Sequence, residues 1–530
     1  MRTVFVIVLL FSSLLLHAQT SSVSVRVDSS YNGWGWKSIV MQNDIIALAT
    51  VPAIGARVMK YDLGSLPSLY VNSSELGRTY IPSQNGSWHN FGGFKTWPAP
   101  QSQWNAGGWP PPPILDCGSY AFQIDSMSLP GDSVVLTVSS PTEKWFSPNI
   151  RFERTATVFA GTSRIRMDQR MINEGTSTVT WSVWGVSQSI VNHVGKSDYS
   201  NYWVYFPINP NSHYGTSGVS PQGNSNAWKG QIAPGVYGVQ FSPDNQKIFA
   251  DPDKGWIAYA DVSDTVVFAK TFELFEGAQY PDDGARVTVY VSGNAPPNYL
   301  EVEVKGPIVQ LEANGGNYSF TENWWAARVR APILSIDSVG AVAKRLSLDT
   351  IARVFSGTYG VFYQGSAAVE FFDGSGNFLS GGPSHPTTPL TELQLQDTLS
   401  IPAGAVSMEV RVYDRKSRLV GVLDAASVSA LLTDAPGQTY TAPSEFLLAP
   451  NYPNPFNGGT VLMVACPKAT RGSLKIYDVL GREVATLSDG ELSAGSHRFV
   501  WNPLRISSGI YIARLELPGS WQTQKLIYLR

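Results

Sequence analysis

The residues best suited to chemistry in this sequence are concentrated in one stretch, from Trp88 to Tyr120. Its four tryptophans are accompanied by three ionisable side chains, those of His89, Lys95 and Asp116. Flat indole rings fit the apolar face of a sugar ring, and charged groups beside them can hold its hydroxyls by charge-assisted hydrogen bonds. The pattern predicts a carbohydrate-binding surface made of Trp88, Lys95, Trp97, Trp104, Trp109 and Asp116. The alternative is that the indoles only close the end of a β-sandwich.

The backbone of this stretch is expected to be a loop. Its four consecutive prolines, Pro110 to Pro113, provide no N–H donors for a helix or for the interior of a sheet. Long ordered loops in compact proteins are usually functional and depend on rigid neighbouring elements for their position. We therefore expect strands on both sides to hold this loop in place.

Two histidines and one carboxylate are the candidates for acid–base catalysis. Opening a sugar ring requires one group to take a proton from the anomeric hydroxyl and another to give one to the ring oxygen. His89 lies in the aromatic stretch, and His193 follows the strand-like run WSVWGVSQSIV. Glu301 and Glu303 alternate in YLEVEV, so both point to one face of a strand. We predict His89, His193 and Glu301 as catalytic; loop hydrogen bonding for His89 and ordinary solvation for the glutamates are the alternatives.

Several other kinds of chemistry lack support in the sequence. No Gly-x-Ser-x-Gly motif, phosphate loop or dinucleotide fingerprint occurs in a suitable context. The net charge is −3 and 15% of residues are charged, so no basic surface for nucleic acid is expected. Cys117 and Cys466 are the two cysteines, with no C-x-x-C pattern. We predict no metal site and no cofactor.

Residues 1–18 have the features of a secretory signal peptide. Arg2 precedes a mostly apolar run from Val4 to Leu16, and Ala18 offers a cleavage site. The run is too short for a membrane span, and no later segment reaches that length. The sequence predicts an exported protein with no membrane span in the mature chain.

From about Ser22 the chain consists of short alternating runs such as VSVRV, VVLTV and VTVYV, bounded by Gly, Pro, Asn or Asp. This pattern is typical of antiparallel β-structure. A chain of 530 residues is too long for a single core. We predict an all-β protein with a large sandwich over residues 22–330. Fourteen of the sixteen tryptophans lie in that part, so a sugar site belongs there.

Several segments of this large domain resemble an uncharacterised family of the galactose mutarotase-like type. They are AIGARVMKYDLG, NFGGFKTWPAPQSQW, WPPPPILDCGSY, RMDQRMINEG and YLEVEVKGP, of which the block Trp97 to Gln101 is the most specific. The resemblance implies a β super-sandwich whose concave face holds carbohydrate. Asn192-His193 is similar to the Asn-His pair of sugar mutarotases, although the Tyr-Phe-Asn-Leu that accompanies it there is missing.

Residues 334–432 form a second set of strand-like runs, including AAVEFFDGSGNFL and LSIPAGAVSMEVRVYD. Asp373-Gly374-Ser375-Gly376 is expected to be a hairpin turn. The segment resembles jelly-roll modules of the galactose-binding-like type, which often bind glycans. It contains no tryptophan, so a role as a spacer sandwich remains equally open.

The last part of the chain begins after a polar linker at residues 433–444. NYPNPFN, from Asn451 to Asn457, is followed by LKIYDVLGREVATL and SSGIYIARLELPG. Residues 445–530 resemble the type A sorting domain of the type IX secretion system. The resemblance implies a small Ig-like sandwich that is read by the secretion machinery, with export through the periplasm and outer membrane.

These features together predict a secreted or cell-surface protein that binds poly- or oligosaccharide and acts on sugars by acid–base chemistry. An enzyme of this kind would be epimerase-like, a lyase or a hydrolase. The alternatives are a non-catalytic structural or adhesion protein of the cell surface and an accessory to a polysaccharide lyase or hydrolase. A histidine and a carboxylate that meet at one water or sugar would favour the enzyme.

Overall fold

A computed structural model describes residues 23–529, apart from residues 106, 126–131, 192–200, 224–228, 295, 350–352, 434–445, 449–450, 452–453, 458, 467–468, 493–494 and 504–505. The predicted signal peptide, most of the predicted linker and His193 lie outside the described residues. The described chain is almost entirely antiparallel β-structure. Its helices are short: α1 Pro113–Cys117, α2 Pro281–Gly284 and α3 Val428–Thr433. None of the helices described is long and apolar enough to cross a membrane.

The first part of the chain forms two large sheets. Their strands are β1 Ser24–Asp28, β2 Ser38–Gln42, β3 Ile46–Val51, β4 Arg57–Leu63, β5 Leu66–Pro67, β6 Phe94–Ala99, β7 Ala121–Asp125, β8 Ser133–Ser139, β9 Ile150–Phe159, β10 Ile165–Asn173, β11 Val179–Ile190, β12 Tyr202–Pro207, β13 Val219–Gln222, β14 Lys229–Ala233, β15 Val236–Gln240, β16 Gln246–Ala250, β17 Trp256–Asp261, β18 Val266–Phe272, β19 Val287–Ser292, β20 Tyr299–Lys305, β21 Val309–Leu311 and β22 Gly316–Arg328.

The described strands of the first sheet run in the order β1-β2-β3-β4-β6-β11-β20-β19-β16-β13, with β5 beside β4 and β21 beside β11. Those of the second sheet run in the order β14-β15-β12-β17-β18-β22-β10-β9-β8-β7. The two sheets pack face to face around one large apolar core that contains residues from both. This is the large antiparallel sandwich that the alternating runs predict, and the all-β fold class is confirmed.

Strand β6 lies within the stretch that the sequence predicts to be a loop, so that prediction is wrong for Phe94–Ala99. The strand contributes side chains to both faces of the first sheet. Phe94 contacts Trp324 of the second sheet, with ring centroids 4.7 Å apart, and Thr96 donates a hydrogen bond to Gln169 of the same sheet at 2.6 Å. Successive side chains of a strand point to opposite faces. Lys95 and Trp97 therefore lie on the outer face of the first sheet, away from the second sheet.

A fully buried ion pair lies between the sheets. Lys270 Nζ is 3.0 Å from Glu322 Oε2, and both side chains are inaccessible to solvent. Gln169 and Trp324 donate hydrogen bonds to the two carboxylate oxygens at 2.9 Å each. Burial lowers the pKa of Lys270, while the adjacent carboxylate acts in the opposite direction. A buried pair is stabilised where its remaining lone pairs accept hydrogen bonds, as both oxygens of Glu322 do here.

A second sandwich follows within the same compact unit, which extends to Leu431. Its strands are β23 Ser335–Ile336, β24 Gly340–Asp349, β25 Val354–Val361, β26 Gly365–Phe372, β27 Phe378–Gly381, β28 His385–Thr387, β29 Leu393–Thr398, β30 Ser407–Asp414 and β31 Leu419–Ser427. The order β23-β24-β25-β29 forms one sheet and β27-β26-β30-β31 the other, with β28 beside β26. Phe362 stacks on Trp325 of the large sandwich at 5.0 Å, so the two sandwiches share apolar contacts.

The second compact unit runs from Leu432 to the end of the chain. It contains β32 Leu447–Leu448, β33 Thr460–Cys466, β34 Thr470–Asp478, β35 Glu483–Leu492, β36 Gly495–Trp501, β37 Gly509–Leu517 and β38 Ser520–Tyr528. Two small sheets, β32-β33-β36 and β35-β34-β37-β38, enclose a core of their own. The domain limits at residues 330, 334, 432 and 445 remain predictions.

Gly185 is expected to be intolerant of any side chain, because it lies against the buried ion pair. A Cβ atom at this position would lie 2.0 Å from Glu322 Oε1. We expect Gly185→Ala to lower the free energy of unfolding by about 2 kcal/mol. Gly381→Ala is the control, since a Cβ there meets ordinary contacts at 3.6 Å and beyond. Chemical unfolding followed by tryptophan fluorescence would measure the effect; equal losses in both variants would contradict the steric explanation.

Candidate functional site

The outer face of the first sheet brings together residues that are far apart in sequence. In the registered pairs of β6, β11 and β20, Val186 lies opposite Lys95 and Gln188 lies opposite Glu301. Trp184 lies opposite both Trp97 and Lys305. Because side chains two residues apart share a face, these strands form one continuous patch of charged, amide and indole groups, called here the outer-face patch: Lys95, Trp97, Trp184, Gln188, Glu301, Glu303 and Lys305.

Glu301 is the carboxylate of the outer-face patch that remains partly open to solvent. Its Oε1 accepts hydrogen bonds from Lys95 Nζ and Gln188 Nε2, each at 3.0 Å. Its side chain is 12% exposed. No hydrogen bond to Oε2 occurs among the residues that the structure describes. Gln188 is buried, and its own Oε1 has no partner in the same part of the chain. Oε2 of Glu301 is therefore the acceptor that is available to a ligand with hydroxyl donors.

Lys95 links the carboxylate to the aromatic side of the patch. Its ammonium group lies over the Trp97 ring, 4.8 Å from the centroid, as well as beside Glu301. Burial lowers the pKa of Lys95, and the Glu301 carboxylate raises it in part. An ammonium group held between a carboxylate and an indole face has a fixed position. It therefore orients Glu301 rather than moving freely in solvent.

Glu303 and Lys305 form a second charged group on the same strand. Glu303 is fully buried; its Oε2 accepts a hydrogen bond from Trp184 Nε1 at 2.8 Å, and its Oε1 has no partner within the described chain. Burial raises the pKa of Glu303. Lys305 is also buried and pairs with Asp282 at 2.5 Å, and burial lowers its pKa. Neither group reaches solvent, so both support the patch from within.

Tyrosines border the patch beside Glu301. Tyr299 stacks on Tyr70 at 5.7 Å, and Tyr290 lies 6.3 Å from Tyr299. Tyr290 is registered opposite Glu301 on the neighbouring strand. Tyr70 and Tyr290 are half-buried, and burial raises the pKa of Tyr70 to about 12, so its hydroxyl remains protonated at neutral pH. The border offers aromatic faces and hydroxyl groups.

The tryptophans of the stretch from Trp88 to Tyr120 form a cluster against the patch, but they differ in exposure. Trp97 and Trp104 are 3% exposed and lie 5.4 Å apart, edge to face. Trp104 also lies 5.8 Å from Trp184. Trp109 is 45% exposed, and Trp88, at 5.0 Å from it, is half-buried. Only Trp88 and Trp109 present indole surface to solvent, so Trp97 and Trp104 act chiefly as packing beneath them.

The proline run ends in helix α1, and this short helix places Asp116. Pro113 occupies the first turn, where its missing N–H costs nothing. Buried Glu143 accepts the N–H of Ile114 at 2.9 Å, which satisfies a donor that the helix leaves free. Asp116 then pairs with Arg57 at 2.5 Å and accepts Trp97 Nε1 at 3.0 Å. Asp116 is 3% exposed and is bound to protein groups.

The contacts of His89 do not include Glu301 or the rest of the outer-face patch within the described chain. Its ring stacks on Tyr80 at 3.4 Å, and its Nδ1 is 3.6 Å from Glu75. No contact between His89 and Glu301 is present among the described residues. His193 is not described. Of the two predicted catalytic residues that the structure describes, Glu301 lies in the patch and His89 does not.

The sequence did not single out Gln188, Trp184, Lys305 or the tyrosines. Gln188 and Trp184 belong to β11, whose twelve residues are nearly all buried and therefore show no alternation. Trp184 and Gln188 are an even number of residues apart in β11 and therefore share a face. The sequence could have linked that face to Glu301 only if the register of β11 and β20 were known. No group of three or more His, Cys, Asp or Glu within the described ranges could hold a metal ion.

Comparison with known proteins identifies the end of the chain. Residues 451–529 match the family model of the secretion system C-terminal sorting domain. The sorting domain predicted from NYPNPFN and the following strands is therefore confirmed. It directs the protein to the cell surface or the medium through the type IX secretion system. No curated protein matches the chain.

Solved structures similar to this chain are named as galactose mutarotase-like proteins and epimerases. A putative mutarotase from Salmonella typhimurium is 13% identical, with a TM-score of 0.37, over 58% of this chain and 94% of that chain. A putative aldose 1-epimerase from Klebsiella pneumoniae is 11% identical, with a TM-score of 0.39, over 57% and 83%. A galactose mutarotase-like protein from Clostridium acetobutylicum is 11% identical, with a TM-score of 0.35, over 58% and 99%. At these identities the likeness concerns the fold alone.

The Arg57–Asp116 pair is expected to hold the aromatic loop in place. We expect Asp116→Asn to lower the free energy of unfolding by about 3 kcal/mol, because it leaves a fully buried guanidinium without a counter-charge. Asp168→Asn is the matched control: its partner Arg166 is 50% exposed, so the loss should stay below about 1 kcal/mol. Tryptophan fluorescence during chemical unfolding is the measurement. A similar loss in both variants would show that burial of the pair is unimportant.

The buried Glu303 is expected to give stability a particular pH dependence. Its raised pKa means that the folded chain keeps this proton to higher pH than the unfolded chain does. The contribution of Glu303 to the free energy of unfolding is fully present below its ordinary pKa of 4.5 and declines as the pH rises above that value. The stability of the unmodified protein relative to Glu303→Gln should therefore fall with rising pH in that window.

Glu392→Gln is the control of opposite sign for this titration. Burial would raise the pKa of Glu392, but hydrogen bonds from Arg330 and Gln394 lower it overall. The contribution of Glu392 to the free energy of unfolding is present above its ordinary pKa of 4.5 and is lost as the pH falls through its lowered pKa in the folded protein. Unfolding measured from pH 3 to pH 7 should give differences of opposite slope; parallel slopes would contradict the assignment of burial as the cause at Glu303.

Proposed function

We propose that this exported protein binds carbohydrate at the outer-face patch of its large sandwich. The observation that carries the proposal is the half-satisfied carboxylate of Glu301, whose Oε1 is fixed by Lys95 and Gln188 while Oε2 has no hydrogen bond within the described chain. A partly exposed acceptor of fixed orientation suits a sugar hydroxyl, which donates a strong hydrogen bond to a carboxylate.

The surroundings of Glu301 suit a sugar ring, which has hydroxyl donors and an apolar face. The carboxylate is compensated by Lys95, and the deeper pair of Lys305 and Asp282 is likewise balanced. Tyr70, Tyr290 and the exposed face of Trp109 supply aromatic surface on which the apolar side of a sugar ring can stack. Poly- or oligosaccharide is therefore the expected ligand.

Binding without turnover is the form of this function that the contacts favour. Acid–base work on the anomeric centre needs a proton donor and a proton acceptor that both reach the sugar. Within the described part of the chain Glu301 meets Lys95 but no histidine, and the Lys95 ammonium is 2% exposed. Catalysis by His89, His193 and Glu301 stays a prediction. A role as a surface protein that attaches cells to glycans agrees with the sorting domain.

The decisive experiment is a glycan array probed with the mature full-length chain and two site variants. We expect Glu301→Gln to weaken binding about tenfold, because it replaces a charged acceptor by a neutral one. Trp109→Ala should weaken it by a similar factor through the loss of an exposed indole. Both substitutions leave Trp97 and Trp104 untouched, but Glu301→Gln takes the counter-charge from the buried Lys95, so chemical unfolding must first show that both variants are folded.

Each variant has a matched control elsewhere in the chain. Glu409→Gln changes a partly buried carboxylate of the second sandwich that pairs with Arg411, and Trp521→Ala removes a 63% exposed indole of the sorting domain. Neither should alter glycan binding. Absence of binding to every glycan by the folded protein would reject the proposal, as would equal weakening by the controls. Exchange between sugar anomers, followed by NMR with and without Glu301→Gln, would detect any catalysis.

A further inference from the structure

Three hairpin turns in this protein share one geometry. Each connects two antiparallel strands through five residues that begin with aspartate: Asp373–Asn377, Asp414–Arg418 and Asp478–Arg482. In each turn the aspartate carboxylate accepts the backbone N–H groups of the third and fifth residues and a side-chain N–H of the fifth, at 2.7–3.0 Å. The fourth residue has a positive φ, of 79°, 57° and 77° respectively.

The turn geometry is therefore independent of the side chains at its second and third positions, the tip. No bond of the shared pattern involves those side chains. The first turn has Gly374-Ser375 at its tip and the second has Arg415-Lys416, both compatible with water. The third, in the sorting domain, has Val479-Leu480, which are 70% and 74% exposed. Since the same turn forms with small or charged residues, folding does not require an apolar pair there.

Packing within the sorting domain does not explain the pair either. The apolar core of that domain includes Leu474 and Ile476 of β34, which point inward at alternate positions. Neither Val479 nor Leu480 belongs to an apolar cluster in the part of the chain that the structure describes. Two adjacent exposed aliphatic side chains on a rigid support offer a small apolar surface to a binding partner. The domain that presents them matches a family of secretion sorting domains.

We propose that the Val479-Leu480 tip is a contact point through which a protein of the type IX secretion machinery recognises this chain. The matching partner surface is an apolar pocket that accepts two neighbouring aliphatic side chains. Asp478 and Arg482 at the base of the tip neutralise each other at 2.7 Å, so the contact is mainly hydrophobic. The rigid turn lowers the entropy cost of ordering the tip on binding.

The test is export of the full-length chain from a bacterium that possesses this secretion system. Val479→Gly with Leu480→Ser installs the tip of the first turn in the sorting domain. We expect the ratio of protein outside the cell to protein in the periplasm to fall about tenfold or more, since burial of two aliphatic side chains is lost. Val479→Ile with Leu480→Met keeps the apolar character and should be exported normally.

The reciprocal exchange is the specificity control. Gly374→Val with Ser375→Leu creates the same apolar pair on the same turn in the second sandwich. A Cβ at position 374 meets only Val406 at 3.7 Å, so the substitution fits. Export of this variant should be unchanged. The turn at Asp414 is less suitable, because Arg415 forms an ion pair with Asp44 at 2.8 Å.

Protease resistance of the retained chain distinguishes failed recognition from failed folding. If the Gly-Ser variant is sensitive to protease, export is measured instead for a variant that copies the tip of the second turn. That variant is Val479→Arg with Leu480→Lys. Normal export of either folded variant would overturn the proposal. An equal fall in export of the reciprocal variant would also overturn it, because substitution of a turn tip outside the sorting domain would then impair export as much as substitution inside it.

Discussion

The structure depends on strands whose side chains alternate between the two faces of a sheet, and both faces of these strands are buried. In β6, Phe94 and Thr96 enter the core between the sheets, while Lys95 and Trp97 face outward. The same period in β20 directs Val302 and Val304 into the core and Glu301, Glu303 and Lys305 outward. A slip of one residue would exchange the two sets and bury unpaired charges, so the site and the core specify one register.

The cost of desolvating charge explains how the outer-face patch is built. Lys95, Glu303 and Lys305 are buried, and each is matched by an opposite charge or an indole N–H. Glu301 differs because its side chain remains partly exposed and only one of its oxygens is bound by the protein. Carboxylates hold Lys95 and Lys305, and the Trp184 indole holds one oxygen of Glu303. This makes the patch rigid around the accessible Glu301, which favours binding of a ligand at low entropy cost.

The large sandwich and the sorting domain each expose apolar side chains on a rigid local support. In the large sandwich, Trp109 is exposed above a packed indole cluster that fixes its orientation. In the sorting domain, Val479 and Leu480 are exposed on a turn that hydrogen bonds hold rigid. In both places local order is supplied by neighbours, so the exposed side chain is free to meet a partner.

The sequence by itself determined the all-β class, the sorting domain and the region in which the aromatic residues collect. Alternation, turn residues and the NYPNPFN segment are local signals that survive without tertiary contacts. It also selected Glu301, from the alternation in YLEVEV, and Lys95, from its place in the aromatic stretch.

Only the tertiary structure decided that these two residues meet, that Trp97 and Trp104 are buried, and that Asp116 pairs with Arg57. Those outcomes depend on strand register and on loop packing across distances such as the 206 residues between Lys95 and Glu301. Local sequence carries no record of such pairings. The partly open Glu301 is likewise a product of which neighbours the fold places around it.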